Sequence, residues 1–388
     1  MGENTALLTP ARLVLEKVPR VNFYEGGARC PEDIILPSVL RAWLEYMGDQ
    51  QFGCMHCRGL TPACKVRCTY SFLAGVSGAA AFLSWGEGWQ GDNGALHYMS
   101  PDPDAPYRRA FDATGYSWEW VMRNETEAGE RDKEAAWRAI IRQSLQAGRP
   151  VIGFGVVGPP EPALITGYDE DGDVLLGWSF FQYFPDFQGG MSTEPSGYFR
   201  KRDWFKDTDC LAVFGPRQTT QAAPDLNAQY RQGLEWMLHI MRHSIGNGRA
   251  SGLAAYDAWA SDVLRDDAFP PADEAALRAH YRVHDDAVGA VAEARWYGSQ
   301  FLIMAAERLE PHPAADLLHA AGCYAAEHDL MWKAWGLAGG NGAPDGWQKM
   351  ADPAVRAQIV AVIRESREQY AQAAAYIEHA LSLPPGRD

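Results

Sequence analysis

Cys30 is the first residue whose surroundings suit chemistry. It stands in the run Gly26-Gly27-Ala28-Arg29-Cys30-Pro31, directly before residues with helical spacing. A thiol attacks only as thiolate, and a helix start lowers its pKa by offering partial positive charge and unbonded N–H groups. Glycines at 26 and 27 would let the backbone approach a substrate closely. The alternative is a buried structural thiol, because free cysteine is among the most buried residue types. A second group is Cys54, Cys57, Cys64 and Cys68, spaced C-x2-C-x6-C-x3-C. Four thiolates so close in sequence suit tetrahedral zinc, and Arg58, Lys65 and Arg67 would offset their charge. His56 could replace one ligand, and an iron–sulfur cluster could use the same set. Without metal the alternatives are four reduced thiols, or two disulfides if the protein is exported.

Two histidine pairs, His239-x3-His243 and His280-x3-His284, fall on single helical faces and have a spacing able to ligate metal. The Glu-x-x-His spacing of di-iron bundles does not accompany them, so capped or exposed histidines are expected. Glu293 and Arg295 sit in an otherwise apolar stretch of the back half. They form an ion pair there or face a cleft of the front half.

The elements that must hold these residues can be read from periodicity. Residues 30–48 read as a helix, with Pro31 at its first position and Glu32 and Asp33 in its first turn. Ile35, Val39, Trp43 and Met47 recur every four residues, and Pro37 predicts a kink or restart. Residues 69–83 read as a second buried helix. An amphipathic helix follows at 133–146, ended by Gly148. The runs PVIGFGVV, ALITGY and DVLLGWSFFQ have strand length, with a hairpin turn over 169–172 and a last strand at 211–215. Helices followed by antiparallel strands define an α+β front half, 1–216, with a cysteine-rich insert at 50–68. After a polar linker at 216–224 the pattern is helical only: near 225–244, 250–265, 272–309, 313–337 and 352–382. That predicts an all-helical bundle over 225–388.

The front half resembles the papain-like superfamily. It is similar to the bacteriocin-processing (double-glycine) peptidases, and more closely to the N-terminal domain of the butirosin-type acyltransferase family. Those domains open with a short Gly-x-x-Cys-Pro stretch, matched by Gly27-Ala28-Arg29-Cys30-Pro31. Later they carry Gly-x-Pro-Val-Ile, then a histidine shortly before Gly-Tyr-Asp. This chain has Gly148-Arg149-Pro150-Val151-Ile152, then Glu161 ahead of Gly167-Tyr168-Asp169. The resemblance implies a papain-like, cysteine-peptidase-like fold with Cys30 as nucleophile. It also implies that Asn22 and Tyr24 lie where an oxyanion donor belongs. Glu161 occupies the histidine's place. Gly177-Trp178-Ser179 stands where the orienting residue is expected, which makes Trp178 and Ser179 binding positions. No histidine occurs between 98 and 238. Three readings stay open. Glu161 is the base toward Cys30, with a pKa raised by burial. Or a histidine from elsewhere (His56, His97 or one of the helical half) completes the site. Or the site is catalytically inactive and binds a ligand.

Composition narrows the partners. A net charge of −15 over 388 residues disfavours nucleic acid and anionic membrane surfaces. Fourteen tryptophans favour aromatic cores or pockets for a small molecule. No long apolar run follows a basic patch at the start, so a cytoplasmic location is expected. The helical half either shapes a small-molecule pocket over Cys30 or forms a homodimer interface. The expected function is thiol-dependent acyl transfer or amide hydrolysis on a small molecule. The alternative is a catalytically inactive ligand-binding protein. Structural zinc is the cofactor that the residues suggest first.

Overall fold

The computed structural model describes residues 10–21, 32–49, 62–123, 130–218, 225–309, 314–340 and 345–382, without the side chains of 62–67 and 130. In chain order the elements begin with β1 (Leu13–Val14), α1 (Ile35–Tyr46), α2 (Pro62–Ser77), β2 (Ser84–Trp85), α3 (Ala105–Ala113), β3 (Tyr116–Met122) and α4 (Glu130–Gln146). Next come β4 (Val151–Phe154), β5 (Pro162–Asp169), β6 (Val174–Trp178), β7 (Met191–Thr193), β8 (Phe199–Arg202), α5 (Trp204–Asp207) and β9 (Cys210–Arg217). The last are α6 (Leu226–Arg242), β10 (Ile245–Gly246), β11 (Arg249–Ser251), α7 (Leu253–Val263), α8 (Glu274–Arg308), α9 (Ala314–Leu337), α10 (Gly346–Lys349) and α11 (Pro353–Ser382).

These elements gather into two compact units that are interleaved along the chain. The first comprises 1–23, 38–49 and 114–223; the second comprises 24–37, 50–113 and 224–388. Both α and β structure are present, the main sheet is antiparallel, and the C-terminal region is helical. No helix among the described residues is long and apolar enough to cross a membrane.

The first unit is built on a sheet of order β3-β9-β4-β5-β6-β8-β7. Strand β1 pairs with the far half of β5, at Tyr168 and Gly167, beyond the reach of β4. Helix α4 presents Trp137, Ile141 and Leu145, one helical turn apart, to Val151, Ile165, Leu175 and Leu211 of the sheet. A Schellman closure ends it: Gly148 (φ 72°) donates to Leu145 O and Arg149 to Ser144 O. Alternation along β9 sends Phe214 to the other face. There Trp43 of α1 packs on Phe214 and Tyr116, with both ring centroids 4.7 Å away, and its indole N–H donates to Pro150 O. The β5–β6 turn falls at the expected 169–172, where Asp169 caps Glu170 and three successive residues take positive φ.

The second unit is held by α2, α6, α7, α8, α9 and α11, with a small β10-β11-β2 sheet beside them. Helix α2 crosses α8 closely because Gly75 has no Cβ; one built there would lie 2.2 Å from the Phe301 ring.

Two expectations need correction. Residues 32–34 are not helical, and α1 begins at Ile35 rather than at Cys30 or Pro31. Pro37 therefore lies in the first turn, where no intrahelical N–H bond is lost, and neither kink nor restart is required. Helix α2 begins at Pro62 rather than near residue 69. The last part of the cysteine-rich stretch is thus helical.

Candidate functional site

The described residues that cluster for chemistry lie in the second unit, around α8. Its middle, VGAVAEARWYG, is alanine-rich and buried, so any charge there needs designated partners. Glu293 is 5% exposed. Its Oε1 accepts the backbone N–H of Asp33 at 2.7 Å, that of Ile34 at 3.0 Å and the Tyr70 hydroxyl at 2.5 Å. The two N–H groups belong to the non-helical stretch just ahead of α1, and this carboxyl gives them the partner that the start of a helix leaves its leading N–H groups without. Three donors on one oxygen favour the ionised form. Burial opposes them and wins, with the charge of Asp33 adding to it, so the Glu293 carboxyl is pushed up to about 8. Burial and the same carboxylate hold the Tyr70 phenol well above its usual range, so Tyr70 stays a donor.

Arg295 and Glu293 do not pair; residues two apart on a helix diverge. Arg295 instead meets Glu327 of α9, Nε to Oε2 at 3.2 Å, with both side chains wholly buried. Its Nη1 donates to Ala80 O at 2.8 Å and its Nη2 to the Tyr256 hydroxyl at 3.1 Å. Tyr256 and Ser366 also donate to Glu327 Oε2. Burial raises Glu327 to about 7 against the attraction of Arg295.

The sequence-derived candidates fare unevenly. Cys30, Asn22, Tyr24, Cys54, Cys57 and His56 lie outside the described residues. Cys64 lies on α2 with its side chain outside them. Cys68 is buried on the same helix. Among the described residues, no group of three or more His, Cys, Asp or Glu side chains is arranged to hold a metal. Glu161 is half-buried directly before β5, its backbone N–H donating to Pro159 O and its carbonyl accepting from Gly155. Trp178 is buried; its indole N–H donates to Val18 O and its ring meets Tyr198 edge-on. Ser179 is buried and caps the 3-10 turn Phe180–Tyr183. Its Oγ accepts from Phe181 N–H, while the Gln182 amide oxygen accepts from Ser179 N–H. These bonds commit Trp178 and Ser179 to holding the end of β6.

The histidine pairs do not converge. His239 and His243 stack on each other with centroids 5.0 Å apart, and His239 stacks on Trp236. His280 lies on the Trp89 ring, whereas His284 is fully buried, accepts the Trp259 indole N–H and is lowered by burial to about 4. His97 is half-buried in the 3-10 turn Leu96–Tyr98, its pKa lowered by burial and by Arg249.

Glu293 was visible in the sequence only as an acid inside an apolar helical run. Its partners at 33, 34 and 70 carry no spacing that ties them to it. No protein-family model matches the chain, and no curated protein matches it significantly.

Proposed function

We propose that this protein performs thiol-dependent acyl transfer or amide hydrolysis on a small molecule through Cys30, with Glu293 as the carboxyl that manages the proton. The observation that carries this is the buried Glu293 carboxyl, raised to about 8 and bonded to the backbone three and four residues beyond Cys30. A carboxyl in that range is half-ionised near pH 8 and about a tenth ionised at pH 7, so it can both take and return a proton close to neutrality, which suits general acid–base catalysis. The papain-like relationship belongs to the same proposal. It is supported by an antiparallel sheet carrying a buried helix, α1, that follows Cys30 in sequence.

One observation favours a second reading, a catalytically inactive ligand-binding protein. Helix α1 starts five residues after Cys30, and a helix dipole fades within its first turn. Iodoacetamide labelling against pH, located by peptide mass spectrometry, separates the two. Wild type, Glu293→Gln and Glu161→Gln are compared. For the enzyme, Cys30 labels with an apparent pKa below the free-thiol value of about 8.5. That value falls further in Glu293→Gln, because a neutral amide replaces a group that would become an anion beside the thiolate. Glu161→Gln leaves it unchanged. Slow labelling at an ordinary or raised pKa, indifferent to Glu293, transfers the assignment to the ligand-binding protein.

Structural zinc on Cys54, Cys57, Cys64 and Cys68 is part of the same proposal and rests on their spacing and thiolate chemistry. Elemental analysis of the purified chain is expected to return one zinc per chain. Thiols that titrate freely, with no metal bound, remove the zinc.

A further inference from the structure

Helix α3 and helix α6 flank an open cleft of about 460 Å³ in the second unit. Its wall includes Arg108 and Arg109 of α3, Gln229 and Trp236 of α6, and Asp102 and Asp112. Arg109 is half-buried, with its guanidinium carbon 4.3 Å from the centroid of the Trp236 ring. Stacking uses the face of the guanidinium and leaves its in-plane N–H donors uncovered by the ring.

The acids around Arg109 are committed elsewhere. Asp102 pairs with Arg108, and Glu235 pairs with Arg231 at 3.4 Å. Asp112, three residues on, attracts Arg109 through space, and Arg109 makes no ion pair or side-chain hydrogen bond with any described residue. Gln229 spends its amide N–H on Ala113 O. Burial outweighs the two acids' attraction and lowers the Arg109 pKa, which marks the cation as under-compensated. Desolvating a guanidinium without a partner is costly, so such a group at a cleft wall gains most from an incoming anion.

We infer that this cleft binds the oxyanion group of a small molecule, a carboxylate or phosphate, on the Arg109 fork. Arg109 and Trp236 together fix the plane of the fork. A planar two-oxygen acceptor then meets two parallel N–H donors. The site does not depend on Cys30 and stands or falls separately from the proposed reaction.

Arginine modification of the full chain by phenylglyoxal tests it, with sites located by peptide mass spectrometry. Benzoate and inorganic phosphate serve as the probes. Arg109 is expected to react, and millimolar probe to protect it saturably, while Arg265, paired with Asp267 on the surface, is not protected. Protection by benzoate alone assigns a carboxylate ligand, by phosphate alone a phosphoryl ligand, and by both a shared oxyanion site. Calorimetric binding of the protecting probe is expected to weaken roughly tenfold in both Arg109→Gln and Arg109→Lys, since neither keeps the fork. Arg109→Lys retains the charge over Trp236 and so controls for folding. Absence of protection by either probe, or equal protection of Arg109 and Arg265, overturns the site. So does probe affinity left unchanged in folded Arg109→Lys.

Discussion

Replacing Arg295 by methionine is expected to destabilise the helical unit by about 3–5 kcal/mol, the usual cost of breaking a buried ion pair from one side. Methionine fills the space of the stem but leaves Glu327 without its countercharge and Ala80 O without its donor. The loss reaches several elements at once. Arg295 on α8 touches Glu327 on α9 and Tyr256 on α7, and its guanidinium lies 4.7 Å from the Tyr370 ring on α11. The cost should depend on pH. Glu327 already sits near 7 with Arg295 beside it, and without the arginine its folded value rises further. The unfolded chain releases that proton near the ordinary carboxylate value while the folded variant keeps it. The folded state then binds more protons, and stability falls as pH rises between the two values. Denaturant unfolding followed by helical circular dichroism at about pH 5.5 and about pH 8 should give the larger loss at the higher pH. Glu327→Gln makes the contrasting case. It strands a guanidinium that cannot neutralise itself, and it also removes the carboxyl whose folded value lies above its unfolded one, so its cost should be largest near pH 5 and shrink as pH rises towards about 7, opposite in direction to Arg295→Met. Equal losses for Arg295→Met at both pH values would mean that Glu327 stays ionised alone in the core.

What the sequence could and could not disclose follows from the range of the interactions. Helices α6, α7, α8, α9 and α11 announce themselves by apolar spacing because each buries a stripe against its neighbours. The β5–β6 hairpin is equally local: Asp169 through Gly172 supply the cap and the positive φ that the turn requires. The start of α1 was not local. Asp33 and Ile34 give their N–H groups to a carboxyl 260 and 259 positions away, and the helix waits until Ile35. Strand β3 escaped notice because YSWEWVM is an edge strand whose side chains are mostly half-exposed, so no buried face stands out. Trp178 and Ser179 stood out through a resemblance alone, and no periodicity announced the local and cross-sheet bonds that their polar atoms close. The long gap between Arg109 and Trp236 hid their stack as well, since α3 and α6 share no repeat or motif.

Glu293→Gln is expected to change the pH dependence of stability more than Glu327→Gln, because burial raises Glu293 to about 8 and Glu327 only to about 7. In the wild type the folded carboxyl holds its proton to about 8, whereas the unfolded chain gives it up near 4.5. Between those values the folded state binds the extra proton, so the contribution of Glu293 to stability declines steadily with rising pH and levels off above about 8. At roughly 1.4 kcal/mol per unit of pKa difference, the decline amounts to several kcal/mol. Glutamine has no proton to lose. Its amide oxygen can still accept from Asp33, Ile34 and Tyr70, while its amide N–H groups ask for acceptors that the carboxyl did not need. The variant should therefore be slightly less stable than wild type near pH 5 and clearly more stable above about pH 8. Glu327 titrates in both proteins, so subtracting one stability curve from the other isolates Glu293. A difference that stays flat across this range would mean that the three donors outweigh burial and the carboxylate is ionised throughout. Glu293 would then be a fixed anion bracing the chain ahead of α1, unable to serve Cys30 as a near-neutral base. A crossing of the two curves instead gives Glu293 the proton affinity that the proposed reaction needs, measured without a substrate.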